Sequence, residues 1–176
     1  MKKLSLRQII FAALCCDLGL ISKKLISPGA NVITEALHIP GGIATSFSLM
    51  FLVVASALLG RFGCGILMAL VQSVLAFSFG MTGNMGLLAP IGYVVPGLVI
   101  DLCLWLRRKI RLPEGAGILA ASVLSSVSAC LTADLIVFHL RGVVLLVYVL
   151  VSASAGAVCS LLAAPLVRRL RKILQT

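Results

Sequence analysis

The stretch LLAPIGYVVPGLVIDLCLWLRRKIRLP, residues 87–113, decides the fold. From Leu87 to Leu106 it carries one charge, Asp101, and then Arg107, Arg108, Lys109 and Arg111 follow at once. About 20 apolar residues, at roughly 1.5 Å of helical rise each, span the hydrocarbon layer of a bilayer. A basic cluster directly after such a run is the signature of a cytoplasmic end, and Trp105 beside Arg107 suits an interfacial anchor. The stretch reads as a transmembrane helix whose C-terminus faces the cell interior.

On either side the pattern repeats. Of 176 residues 61% are hydrophobic and 11% charged, against about 45–50% and 25% in ordinary globular domains. A water-soluble sphere cannot be covered with so little polar surface. The net charge of +10 does not indicate a nucleic-acid binder, because the cations fall in short clusters between uncharged runs. Apolar periodicity and breakers predict an all-α, polytopic membrane protein of one domain, with spans at about 8–22, 43–60, 64–80, 87–106, 116–140 and 143–167. The first run resembles a signal peptide, but Asp17 interrupts it and Lys23-Lys24 follow with no small-x-small cleavage site, so a retained helix is expected. Residues 25–42, with Pro28, Gly29, Asn31, Pro40, Gly41 and Gly42, read as a long connecting loop with a short helix near 32–37.

Six spans put both termini on one side. With the termini in the cytoplasm, only Lys23, Lys24 and Arg141 fall outside, so 15 − 3 = 12 of the Lys and Arg residues lie inside. That division follows the positive-inside rule. The loop 25–42, the glycine-rich segment 80–86 and the Arg141 turn then share the external face, where recognition chemistry is expected.

Asp17, Asp101 and Asp134 are carboxylates within or near the hydrocarbon layer and hence functional candidates. Each also has a structural alternative: Asp101 with Arg107 and Arg108, Asp134 with Arg141 or Lys23, and Asp17 with Lys23 and Lys24. His38 and His139 stand at external boundaries, where an imidazole can meet a ligand, a carboxylate or simply water. Tyr93, flanked by Pro90 and Pro96, can stack on or hydrogen-bond to a planar ligand, and broken backbone at membrane depth lines cavities, so Leu87 to Gly97 is the candidate cavity-lining segment. Gln72, Thr82, Asn84, Ser46 and Ser48 add neutral hydrogen-bonding groups, which serve interhelical contacts about as well. Six cysteines form no CxxC or Cys/His cluster and read as packing residues. No catalytic constellation, metal-ligand set or phosphate-cradling loop is visible, so neither an enzyme nor a cofactor is expected. Ala12/Cys16, Ala153/Ala157 and Gly156/Ser160 stand four apart, a spacing that allows close helix approach.

The chain resembles the substrate-binding S component of energy-coupling-factor (ECF) type ABC transporters. The resemblance covers nearly the whole length: size, six spans, both ends inside, a long first external loop and the small-residue helix Phe11-Ala12-Ala13-Leu14-Cys15-Cys16. His38-Ile39-Pro40-Gly41-Gly42, Gly80 to Gly86 and Ala89-Pro90-Ile91-Gly92-Tyr93 are also similar to members of the group. It implies a bacterial plasma-membrane subunit that binds a vitamin or vitamin precursor from outside with high affinity. Such a subunit passes its ligand to a coupling membrane subunit and two cytoplasmic ATPases. The Ala-xxx-Ala motif that meets the coupling subunit in the family corresponds here to Ala12 and Cys16, with Cys16 in place of the second Ala. On this reading Tyr93, Asn84, Thr82, Gln72, Asp134, His38 and His139 are the substrate-binding candidates. If Asp134 lines the cavity, a small planar neutral or cationic molecule is expected, thiamine or a pyrimidine precursor among others. A small membrane assembly or regulatory protein, or an intramembrane enzyme using Asp101 or Asp134, are the alternatives.

Overall fold

The computed structural model describes residues 6–37, 43–80, 86, 88–136 and 142–175, and among these the chain is all-helical, with no strand. Six helices follow in order: α1 Leu6–Leu37, α2 Ile43–Leu59, α3 Cys64–Ser78, α4 Ala89–Ile110, α5 Glu114–Ile136 and α6 Val143–Gln175. Three of them are long and apolar enough to cross a membrane: α4, α5 through Leu135, and α6 through Lys172. The shorter α2 and α3 carry no charged residue. Helix α1 is 32 residues long but carries Arg7, Asp17, Lys23, Lys24 and Glu35.

Helix α2 occupies the centre and touches each of the other five. Every residue from Leu52 to Ala57 is buried, as expected of a helix that is apolar all round. Its 17 residues amount to about 25 Å of rise. A helix wrapped by protein need not match the lipid thickness, so that length suffices.

The outside of the bundle is apolar. Leu14, Leu18, Ile21 and Leu25 on α1, Leu67, Val74 and Phe77 on α3, and Leu146, Leu150 and Leu161 on α6 are all exposed. The polar side chains Ser48, Gln72, Asp101, Ser126, Asp134 and Ser152 are buried. Water would reverse that distribution; lipid favours it, because a buried hydroxyl or carboxylate can find a partner inside whereas an exposed leucine loses nothing in hydrocarbon.

Close helix approach is built from missing side chains. A Cβ on Gly97 of α4 would lie 2.5 Å from the Ala69 Cβ of α3, and one on Gly65 would lie 2.8 Å from the Gly97 carbonyl. At the α5–α6 seam a Cβ on Gly156 would lie 2.8 Å from the Ser122 carbonyl, and the Ser152 hydroxyl donates to the Ser126 carbonyl at 3.1 Å. The small-residue spacing of α6 is thus used within the chain.

Several boundaries differ from expectation. Helix α1 continues through Pro28 to Leu37 instead of ending near residue 22. A proline in a helix interior removes one backbone N–H bond, but Pro28, which is exposed, stands inside α1 without ending it. Helix α6 runs eight residues past Val167 to Gln175: Leu170 packs on the core, and Arg171 reaches Glu114 at 2.6 Å and the Ala57 carbonyl at 3.3 Å. Helix α4 begins at Ala89 with Pro90 in its first turn, where the missing N–H had no helical partner anyway. Pro90 therefore breaks nothing, and Pro96 is buried inside the helix.

Candidate functional site

Five helices contribute to one small, partly open cavity of about 80 Å³. Its wall contains Lys23 of α1, Thr45, Ser48 and Leu49 of α2, Gln72 of α3, Gly92 and Tyr93 of α4, and Ala129 and Ala133 of α5. The starts of α2 and α4 and the end of α5 meet here.

Gln72 is fully buried. Its Nε2 donates to the Cys16 carbonyl at 3.0 Å, which fixes the orientation of the amide. Oε1 is left with no partner among the described residues, and so is the buried Ser48 hydroxyl. The local geometry depends on Gly19 of α1, because a Cβ there would stand 2.6 Å from Gln72 Nε2 and 3.1 Å from the Ser48 carbonyl. Only a residue without a side chain lets α1 approach both. A buried amide oxygen left unbonded costs about 1–3 kcal/mol, a cost that folded proteins retain chiefly where something else supplies the bond.

Across the cavity the Lys23 ammonium donates to the Tyr93 hydroxyl at 2.9 Å. It stands 4.7 Å from the ring centroid, at the hydroxyl end of the ring. Since the tyrosine oxygen accepts this bond, its own O–H is free to donate, and an ammonium has two further N–H donors. The cavity wall therefore holds free donor capacity on the α1–α4 side, with Gly92, Ala129 and Ala133 also among its lining residues.

Of the residues expected at a substrate site, Gln72 and Tyr93 share this wall. Thr82, Asn84, His38 and His139 lie outside the described residues. Asp134 does not belong to the wall: it is buried and accepts a bond from the Cys130 thiol one turn earlier at 3.0 Å. Helical geometry is the reason, since a step of one residue from Ala133 turns the side chain by about 100°. The expected partner Lys23 is given to Tyr93 instead. Among the described residues of the candidate segment 87–97, only Gly92 and Tyr93 line the cavity; Pro96 and Gly97 are buried in α4, and Gly97 packs on α3. Lys23, Thr45 and Gly19 were missed as site residues. Lys23 reads as a loop charge once α1 is ended at residue 22.

Asp101 has a different task. It is buried, and its two oxygens accept backbone N–H bonds from Gly63 at 3.0 Å, Gly65 at 2.9 Å and Ile66 at 3.0 Å. These are the otherwise unsatisfied donors at the start of α3, where the helix dipole also favours an anion. Gly63, with φ 93°, supplies the left-handed turn into that helix. Arg108 donates to the carbonyl of Gly60 in the same turn, so the expected Asp101–arginine pair is replaced by a shared hold on the α2–α3 turn.

Ala12 and Cys16, expected to meet a coupling subunit, line an apolar groove of about 370 Å³ between α1 and α3, with Leu67, Met68 and Val71 opposite. Cys16 itself is buried, and its thiol lies 3.6 Å from the Met68 carbonyl. The groove is larger than the cavity but lacks a comparable set of converging buried polar groups. Among the described residues no three His, Cys, Asp or Glu side chains form a group able to hold a metal ion.

No protein-family model, curated protein or solved structure matches the chain.

Proposed function

We propose that the protein is a lipid-immersed receptor: a six-span, multi-pass subunit of the bacterial plasma membrane, with both termini in the cytoplasm. It takes up a small micronutrient, a vitamin or vitamin precursor, from the outer side. The observation that carries this reading is the small cavity whose wall brings the buried Gln72 together with the hydrogen-bonded Lys23–Tyr93 pair, inside a bundle whose outer surface is apolar. That is a polar site enclosed by a lipid-facing shell, the arrangement of a ligand receptor more than of a scaffold.

The resemblance to S components adds the rest. The chain carries no visible nucleotide-binding loop, so transport energy would come from a coupling membrane subunit and two ATPases. The groove bearing Ala12 and Cys16 is the surface on which that coupling subunit would sit. An enzyme reading is less well supported, because both oxygens of Asp101 are engaged by the α3 N-terminus. An assembly-protein reading loses support where Gly65, Gly97 and Gly156 are used for packing within the chain.

The test has two parts. Native mass spectrometry of the purified protein is expected to reveal a retained small molecule, and that molecule should enter proteoliposomes in an ATP-dependent way only when coupling proteins are co-reconstituted. Uphill transport by the chain alone, or labelling that finds the termini outside the cell, would overturn the proposal.

A further inference from the structure

The donor capacity of the cavity wall has a sign. Lys23 and Tyr93 both line the cavity, and their bond at 2.9 Å leaves the tyrosine O–H and the other ammonium N–H groups able to donate. A lysine at a membrane boundary ordinarily runs its ammonium outward to water or headgroups. Lys23, half-buried, turns its ammonium instead to the hydroxyl of the buried Tyr93, a group that carries no charge. No carboxylate of a described residue stands in the wall. Asp134 is engaged by the Cys130 thiol, and Asp17, six residues before Lys23, lies about 120° away round α1. We infer that the cavity receives the negatively charged head of its ligand, a carboxylate, on Lys23 and Tyr93. The inference rests on the receptor reading and names the charge class of the ligand that the receptor would bind.

Charge and donor count decide among the alternatives. A carboxylate has two acceptor oxygens and no donor, so one oxygen can take an ammonium N–H and the other the tyrosine O–H. Both bonds are then charge-assisted, which makes each about twice as strong as a neutral one. A neutral carbonyl accepts the same bonds, but its bond from the tyrosine joins two uncharged groups and the ammonium keeps an uncompensated charge. A cationic head meets Lys23 with like charge, and the wall offers nothing among the described residues to offset it. Lys23 is also the one cation among the lining residues, which matches a single negative charge and favours a carboxylate over a doubly charged phosphate. The cationic ligand expected of a wall containing Asp134 is thereby replaced by an anionic one, because the ionisable side chain in the wall is Lys23.

Benzoate, benzamide and benzamidinium share one shape and differ in carrying a negative, no and a positive charge. Their affinities are measured by saturation-transfer NMR on the full chain without coupling proteins, once in uncharged maltoside micelles and once in phospholipid nanodiscs, with empty micelles and nanodiscs as blanks. Benzoate is expected to bind about tenfold tighter than benzamide, and benzamidinium weakest, in both settings. Lys23→Gln is expected to narrow the benzoate preference to about twofold or less, Lys23→Arg to keep it, and Tyr93→Phe, which leaves the ammonium, to reduce it about threefold. Should Lys23→Gln not fold, the wild-type series and Tyr93→Phe still decide. Benzamide or benzamidinium binding as tightly as benzoate, no binding of any of the three, or a benzoate preference unchanged in Lys23→Gln overturns the inference. Benzoate that binds in micelles and is excluded in nanodiscs assigns the anion to a lipid headgroup and overturns it too. A receptor that drives ATP-dependent uptake of a retained ligand while failing this series keeps its function and loses the proposed head. A chain that passes the series but supports no uptake keeps the site and loses the transport reading.

Discussion

Helix α3 meets a buried polar side chain at two places, and they are solved differently. At its N-terminus Asp101 receives three backbone N–H bonds between 2.9 and 3.0 Å. Two turns further on its own Gln72 makes one bond, to the Cys16 carbonyl at 3.0 Å, and its buried Oε1 has no partner among the described residues. Both side chains are almost completely buried. A buried charge that is fully bonded holds architecture together; a buried dipole that is half bonded is what a ligand site retains. The same low dielectric strengthens the first arrangement and makes the second expensive.

The comparison breaks most severely at Asp101. Asp101→Ala leaves three N–H groups of the α3 start without an acceptor and is expected to cost about 3–5 kcal/mol, the range for stripping one partner from a buried ionic arrangement. Thermal unfolding in detergent measures it, and a melting temperature equal to wild type contradicts the capping role. Gly97→Ala comes next: its Cβ would lie 2.5 Å from the Ala69 Cβ, and overpacking of that kind costs about 1–3 kcal/mol. Because Gly92 and Tyr93 ride on the same helix, ligand retention should fall together with stability, and Ala69→Gly should restore part of both.

Gln72→Leu sharpens the contrast. Removing an amide that is only half bonded, with similar volume put back, should cost about 0.5–1.5 kcal/mol of stability yet abolish ligand-dependent thermal stabilisation. A stability loss as large as that of Asp101→Ala would show Gln72 to be architecture too. The smallest effect is expected at the periphery. Glu114→Gln breaks the Arg171 pair, whose side chains are 23% and 36% exposed, and should cost about 0.2–1 kcal/mol and shrink further in high salt.

Much of this molecule is legible in the order of its residues. The runs that become α2 to α6 announce themselves because lipid allows no compromise: backbone must be helical and the surface apolar. Gln72 and Tyr93 could be singled out because polar side chains are scarce in such runs. Lys23 was obscured by a local rule that ends a helix before Pro28, a rule that fails where a long helix is held by contacts elsewhere. Asp101 showed its burial but not its partners, since backbone N–H groups 35 to 38 residues away leave no mark in side-chain identity. Gly19 carried no signal at all, because its value lies in what α1 would strike if a methyl were added.

Composition and periodicity alone determined that the chain is helical and that its outer surface is apolar, because those properties follow from each residue's own free energy of transfer between water and lipid. Which polar groups find each other, and which one is left wanting, was decided only by the packed helices. Asp101 on the α3 terminus, Lys23 on Tyr93, and Asp134 turned away from the cavity all depend on rotations and contacts between segments distant in the chain. A hydrogen bond is made or lost within a few tenths of an ångström, a precision set by packing rather than by hydropathy.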